Sequence, residues 1–338
     1  MALPTITDYV NSIKVPCLVC APMLAGGRHE EKNRQVIKYS GGFCVVFPYT
    51  TPTKKYAVRC WHAVVEDAKE RIQKISSALK KSSLPYFVGF EYVSEGILTP
   101  MGKQPIVLMD WVEAMPIKKY IEAHIKDKLK LEKLAADFLK MVSDLHKENF
   151  SHGDLQHGNI MVRDDGSLIL VDYDSMFVPG LEGKDDDIKG LNGYQCEARW
   201  KNKKISPKSD YFSEMVIYTT IKALIVNPNY WNDLNMLNTD TMLFSGEDIK
   251  SKGRSKIFDR LRAEDNQELT NLVDCLCEFM KCSSLDEITP LEKAILSLSD
   301  VISSKWGPET RQLPSSNGPV KGKVNVDVDK ISSMWNKE

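Results

Sequence analysis

Nothing in the 338-residue sequence accumulates charge of one sign. Lysine and arginine number 45 against 46 aspartates and glutamates, a net charge of −1, so no global field exists to gather nucleic acid or anionic lipid. Long apolar runs are missing too. The best candidate, Val15 to Ala25, is too short to span a bilayer, is broken by Pro16 and Pro22 and follows no basic stretch, so neither an anchor nor a signal peptide is expected there and no membrane partner is implied. A disulfide framework is also absent. Eight cysteines scattered over a chain this long, among them Cys44, Cys60 and Cys196, suit a reducing compartment, the cytoplasm by default. The one Cys-x-x-Cys pair, Cys17 and Cys20, has no second pair or histidine set at zinc spacing, which favours small buried hydrophobes over a metal site. Cys275, Cys277 and Cys282 read as core. Only 19 glycines and 16 prolines, with 42% hydrophobic and 27% charged residues, exclude collagenous, coiled-coil and wholly disordered chains. No internal repeat is visible.

What remains is an α+β chain long enough for about two folding units or one bilobal one. Residues 1–35 read as an N-terminal extension and 36–112 as a β-rich lobe, with short strands at Gly42–Phe47, Tyr56–Cys60, Tyr86–Val93 and Ile106–Met109, a turn at Tyr49–Thr53 and one helix over Val64–Lys81. The period then changes. Leu131, Leu134, Ala135, Phe138, Leu139, Val142 and Leu145 trace one helical face. Tyr211 to Ile225 is apolar nearly all round, the pattern of a central buried helix, and Leu269 to Met280 and Leu291 to Ile302 add two more. These make residues 113–305 a helical lobe. After Trp306 the Pro/Ser/Asn/Gly and Lys/Asp content reads as a flexible tail over 306–338, with a strand-like alternation at Val324 to Val328.

Chemistry concentrates in Ser151-His152-Gly153-Asp154-Leu155-Gln156-His157-Gly158-Asn159-Ile160 and in the apolar strand that delivers Asp172-Tyr173-Asp174. A helix, a loop with Asp154 and Asn159 five apart, a hairpin turn at Arg163 to Ser167 and a strand ending in a carboxylate supply the parts that phosphoryl transfer needs. One carboxylate orients an acceptor hydroxyl, while an amide oxygen and a second carboxylate hold Mg2+ against nucleotide phosphates.

These residues resemble the protein-kinase-like superfamily over roughly residues 36 to 300, in a bacterial, eukaryotic-like Ser/Thr branch with His-Gly-Asp for His-Arg-Asp and Asp-Tyr-Asp for Asp-Phe-Gly. The resemblance implies a bilobal fold, ATP and Mg2+ as cofactors and a protein substrate. It makes Asp154 the catalytic base, Asn159 and Asp172 the metal ligands, and His152 a scaffold residue. Tyr39 to Phe47 is similar to a nucleotide-covering loop in which Gly41 and Gly42 admit phosphate, Tyr39 and Cys44 replace glycines, and Val46 covers adenine. The strand Tyr56-Ala57-Val58-Arg59-Cys60 carries Arg59 where the family has a phosphate-binding lysine, with Ala57 beside the nucleotide. That lysine's helix glutamate would fall at Ser77 or Ala78, and Glu66 and Glu70 lie one or two turns early, so its partner is not assignable. Met109 to Glu113 resembles the hinge, with backbone groups of Asp110 and Val112 on the adenine edge; a strand end with an exposed tryptophan is the alternative.

Tyr194-Gln195-Cys196-Glu197 resembles the end of an activation segment, and Asp210 the residue that braces the catalytic loop. Gly153 removes the arginine that would meet a phosphate, and only Tyr173, Ser175 and Tyr194 bear hydroxyls between Asp172 and Glu197, so activity is expected not to require phosphorylation there. The run Asp185 to Asp187 is either a solvated loop or a guide for basic substrates. Gln156 and Asp174 are closer to aminoglycoside- and choline-kinase-like enzymes, and Arg59 with the thinned glycine loop to a pseudokinase. Both remain alternatives to a protein Ser/Thr kinase.

Overall fold

The computed structural model of the chain describes residues 3–63, 68–187 and 189–305, with backbone alone at 68 and 299–305. The chain divides into two units, Met1–Asp300 and Val301–Glu338. Of the second, only residues 301–305, the end of a helix, are described. The tail expected over 306–338 and the first turn expected at Val64 therefore lie outside the described residues, as does Glu66.

The strands are β1 (Arg28–His29), β2 (Glu31–Lys32), β3 (Gln35–Val36), β4 (Tyr39–Ser40), β5 (Cys44–Thr50), β6 (Lys55–Trp61), β7 (Phe90–Thr99), β8 (Gly102–Asp110), β9 (Met115–Pro116), β10 (Ile160–Val162) and β11 (Leu168–Leu170). The helices are α1 (Ile6–Ile13), α2 (Ala68–Lys81), α3 (Ile117–Ala123), α4 (Lys128–Lys147), α5 (Glu197–Lys201), α6 (Tyr211–Val226), α7 (Tyr230–Asp233), α8 (Gly246–Lys250), α9 (Lys256–Arg262), α10 (Gln267–Phe279) and α11 (Leu291–Lys305). An antiparallel sheet in the order β1-β5-β6-β8-β7, with β4 also on β5, forms the small lobe; α3 to α11 form the helical one.

The small lobe needs both faces of its sheet covered. Val45, Phe47, Val58, Cys60, Ile106 and Leu108 meet Tyr9 and Ile13 of α1 on one face. A reciprocal cap between Thr5 and Asp8 starts α1, and the Tyr9 hydroxyl donates to Trp61 O at 2.9 Å. The N-terminal extension is thus built into this sheet, since β1 also pairs with β5. The hairpin β7–β8 is longer than the sequence pattern suggests: Ile97 to Thr99 continue β7, and Gly102 turns the chain at a φ of +92°.

In the helical lobe, α4 buries Leu131, Leu134, Ala135, Phe138, Met141, Val142 and Leu145. Leu139, expected on that face, is half-buried. Helix α6 is buried on nearly every side, and each large apolar side chain there contributes roughly 1.5–3 kcal/mol. Of the cysteines, Cys17 is exposed and Cys20 half-buried, which corrects the expectation of a buried pair; Cys277 is buried, while Cys275 and Cys282 are only partly so. Cys17 lies in the short 3-10 helix Pro16–Leu18, none of whose residues is buried. None of the described residues forms a cluster of three His, Cys, Asp or Glu suited to a metal. No described helix is long and apolar enough to cross a membrane.

Candidate active site

The loop after α4 is pinned from two sides. Both the His152 and Gly153 N–H groups donate to the Asp210 carboxylate at the start of α6, the latter at 2.9 Å. His152, fully buried, sets its Nε2 against Val171 O at 2.9 Å, so that nitrogen carries the proton. Ser151 and Phe177 exchange backbone hydrogen bonds. These ties hold Asp154 and Asn159 against the end of β11. The Asn159 amide donates to Asp154 O at 2.8 Å and to Asp154 Oδ2 at 3.0 Å, which leaves the amide oxygen of Asn159 uncommitted by those bonds. Asp154 Oδ1 is buried and has no partner among the described residues. Burial above all, with help from Asp172 and Asp210 and against His152 and the Asn159 hydrogen bond, pushes the Asp154 carboxyl up to about 6.

Asp172 follows β11 with a φ of +68°, a left-handed conformation that aspartate tolerates better than most residues and that is concentrated at functional sites. Its side chain is 48% exposed and reaches Arg59 Nη1 at 3.1 Å. Arg59, on β6 and only 4% exposed, also donates from Nη2 to Asp174 Oδ2 at 2.6 Å and to Cys44 Sγ at 3.1 Å. Burial opposes the charge on Arg59, but the two carboxylates outweigh it and raise its pKa. Burial likewise acts to raise Asp172, yet Arg59 and His152 bring its carboxyl below the ordinary value, whereas burial wins at Asp174 and raises it. The half-exposed Asp172 carboxylate and the Asn159 amide oxygen form a donor pair suited to Mg2+, a hard cation that keeps several waters and takes phosphate oxygens as further ligands, while the unpartnered Asp154 Oδ1 is left to accept a proton. The residues present therefore fit a magnesium–nucleotide complex.

Around that set, Val46 is half-buried and lies opposite Arg59 in the β5–β6 ladder, and Ala57 lies opposite Met109. Gly41 and Gly42 form the β4–β5 turn. The Gly41 N–H closes this turn on Cys44 O at 2.9 Å, and nothing lies within 4 Å of where a Cβ on Gly42 would be. Asp110 is the last residue of β8. Its N–H is committed to Gly89 O at 2.9 Å and its carboxylate to Lys54 Nζ at 2.6 Å, whereas the Val112 N–H has no backbone partner among the described residues. Trp111 packs near Tyr39, with ring centroids 6.3 Å apart and the planes tilted by 38°, and carries Lys55 over its face.

The helix glutamate that sequence counting could not assign has no counterpart in the described part of α2. Glu70 pairs with Lys184 and Lys74, Ser77 and Ala78 line a groove below α2, and the residue that reaches the site from this helix is a cation, Arg71, which donates to the carbonyls of Asp174 and Asp185.

Gly153 is dictated by shape. Its φ is +78°, and a Cβ there would sit 2.1 Å from Ser175 O, so no arginine fits. A different arginine enters from the far end of the segment: Arg199 on α5, fully buried, donates to Gly153 O at 3.1 Å and pairs with the buried Asp186. Lys189 ties the same strip to Arg199 O and to the Asp186 carboxylate. Of the acidic run, then, Asp186 is internal and Asp185 pairs with Lys204. The three hydroxyl residues Tyr173, Ser175 and Tyr194 are all buried. Arg199 and Asp186 carried no sequence signal beyond their charge. His157 hydrogen-bonds with the Tyr194 hydroxyl at 2.6 Å. His146 lies between Glu214 and Glu292, at 2.8 and 2.9 Å.

The chain is similar over residues 40–283 to the family model described as protein kinase domain. It is 25% identical over 225 residues to the mitosis inhibitor protein kinase SWE1 of Candida albicans, an alignment that takes in 59% of this chain and 18% of that protein. The chain thus spans about a fifth of the length of that relative. With most of its two lobes inside the matched span and with the Asp154, Asn159 and Asp172 geometry at their junction, the chain belongs to the protein kinase domain family.

Proposed function

We propose that this protein kinase transfers the γ-phosphoryl group of ATP, in a Mg2+-dependent reaction, to a serine or threonine hydroxyl of a protein. The observation that carries the reading is the direct hydrogen bonding of Asn159 to Asp154 beside the half-exposed Asp172 carboxylate. Asp154 accepts and orients the proton of the attacking hydroxyl at its free Oδ1. Asn159, through its amide oxygen, and Asp172, through its carboxylate, are the metal ligands. Bound Mg2+ supplies charge neutralisation of the phosphates. Arg59 faces the phosphates, Val46 and Ala57 cover the base, and Asp110 and Val112 present backbone groups to its edge, with Gly41 and Gly42 in the covering turn. Burial suits Asp154 to this role: a carboxyl raised to about 6 is mostly ionised at neutral pH yet basic enough to share a proton.

The domain bounds we adopt are 1–35 for the extension, 36–112 and 113–305 for the lobes, and 306–338 for the tail. A cytoplasmic location agrees with eight unpaired cysteines in the sequence, and the balanced charge argues against a nucleic-acid partner. A second reading, nucleotide binding without transfer, is favoured by Arg59 being engaged by two carboxylates and by the spent Gly41 N–H. Incubation with γ-labelled ATP separates these readings. Label on protein that disappears in Asp154→Ala and Asp172→Ala supports transfer; bound nucleotide with no label transferred supports the second; label only on a small metabolite would overturn the protein substrate.

A further inference from the structure

Arg59 stands between two carboxylates that are not equivalent. Asp172 is 48% exposed and opens to the cleft, whereas Asp174 is 14% exposed and makes the shorter contact, 2.6 Å against 3.1 Å. A buried charge-assisted pair of that length is hard to exchange with solvent, while a half-exposed one yields readily to a competing cation. The two aspartates therefore divide the work that a single site would do poorly. If Asp172 is to take a metal, it must release Arg59, and an arginine released inside a dry pocket would be left with its charge unbalanced. Asp174 remains to balance it.

The surroundings of Asp174 fit that task. Its backbone carbonyl accepts from Arg71 of α2 at 3.3 Å. The next residue, Ser175, has its carbonyl against Gly153 so closely that only glycine fits there. Asp174 is thus braced by the helix on one side and by the catalytic loop on the other. Glycine at this position, as the family pattern has it, could offer Arg59 nothing. Arg71 supplies a cation from the helix to the loop, so the loop supplies the carboxylate that faces strand β6.

We propose that Asp174 is the positioning residue for Arg59: it holds the guanidinium toward the phosphates while Asp172 is free to exchange Arg59 for metal. This rests on the reading of Arg59 as a phosphate contact. It also implies that the cation on β6 is secured by the segment after β11, and that small displacements of α2 leave it in place.

The test is a double-mutant cycle on equilibrium binding of a fluorescent ATP analogue with Mg2+, with thermal unfolding of every variant measured in parallel. The variants are Arg59→Gln, Asp174→Asn, both together, Asp174→Glu, and, as a control, Glu66→Gln alone and with Arg59→Gln. Asp174→Asn is expected to weaken binding about tenfold or more, the scale of losing one charge-assisted hydrogen bond. In the Arg59→Gln background it should cost no more than about twofold, since Asp174 acts through Arg59. Asp174→Glu, which keeps the charge, should recover part of the affinity, and Glu66→Gln should lie within about twofold of the wild type. Equal losses from Asp174→Asn with and without Arg59, or a lower unfolding temperature with unchanged affinity, would overturn the proposal. So would a Glu66→Gln loss that vanishes in the Arg59→Gln background while Asp174→Asn has none. Should Asp174→Asn alone not fold, the double variant, which removes both charges, takes its place: the proposal then requires it to fold and bind like Arg59→Gln, and a double variant that binds more weakly overturns it. An Arg59→Gln variant that binds as the wild type does would instead sink the phosphate-contact reading itself.

Discussion

The Asp154 carboxylate should make the protein less stable in order to make it active, and Asp154→Asn tests this. A carboxyl raised from the ordinary 3.8 to about 6 holds its proton more tightly when folded. Its contribution to stability is fully present below about pH 4 and is lost as the pH rises to about 6, because the unfolded chain releases the proton first. At about 1.4 kcal/mol per tenfold change in proton affinity, the loss is about 3 kcal/mol. Asparagine has nearly the same shape and no such loss. It brings an amide N–H to the place of Oδ1, which has no partner, at a cost of roughly 1–2 kcal/mol that does not depend on pH. The informative quantity is therefore how the stability difference between variant and wild type moves with pH. It should shift in favour of Asp154→Asn by about 2–2.5 kcal/mol between pH 4 and pH 7, or roughly 4 °C in unfolding temperature for a domain of this size, while phosphoryl transfer disappears. Urea or thermal unfolding at a series of pH values reads it directly. A difference that stays flat from pH 4 to pH 8 would refute the reasoning, because the carboxyl would then not be raised by burial.

Four further outcomes are expected. Gly153→Ala should lower stability by about 2–4 kcal/mol in denaturant unfolding, from a left-handed backbone and an overlap with Ser175 O that cannot both be relieved. Asp186→Asn leaves the fully buried Arg199 without its counter-charge and should cost about 3–5 kcal/mol, whereas Ser175→Ala should keep phosphoryl transfer within about twofold of the wild type if no phosphate is needed there; strong activation on phosphorylating Ser175 would contradict this. His146, raised to about 9 by Glu214 and Glu292 against the opposing effect of burial, stabilises fully below about pH 6.5 and loses its contribution as the pH climbs through about 9. His146→Gln should flatten the fall in unfolding temperature over that window.

The sequence carried the parts of this molecule that repeat with a period or sit at fixed spacing. The face of α4, the all-apolar α6 and the order of Asp154, Asn159 and Asp172 are of this kind, because each is set by local geometry. The β7–β8 hairpin was read only in part, since Glu91, Ser94 and Glu95 break its apolar pattern where it meets solvent. The counter-charges were least legible. Arg199 with Asp186 lie 13 residues apart and Arg59 with Asp174 lie 115 apart; nothing local marks either pair, and only the fold brings them together. The missing arginine at Gly153 and the acidic Asp174 are both legible as departures from the family pattern. Their compensation, Arg199 in one case and Arg59 in the other, exists only in the folded chain.

Calorimetric titration of ATP into the protein, with and without Mg2+, tests the central claim most directly. The account predicts binding that strengthens on adding Mg2+, and an Asp172→Ala variant in which that strengthening is lost. No heat of binding, or an affinity indifferent to both Mg2+ and Asp172, would contradict it.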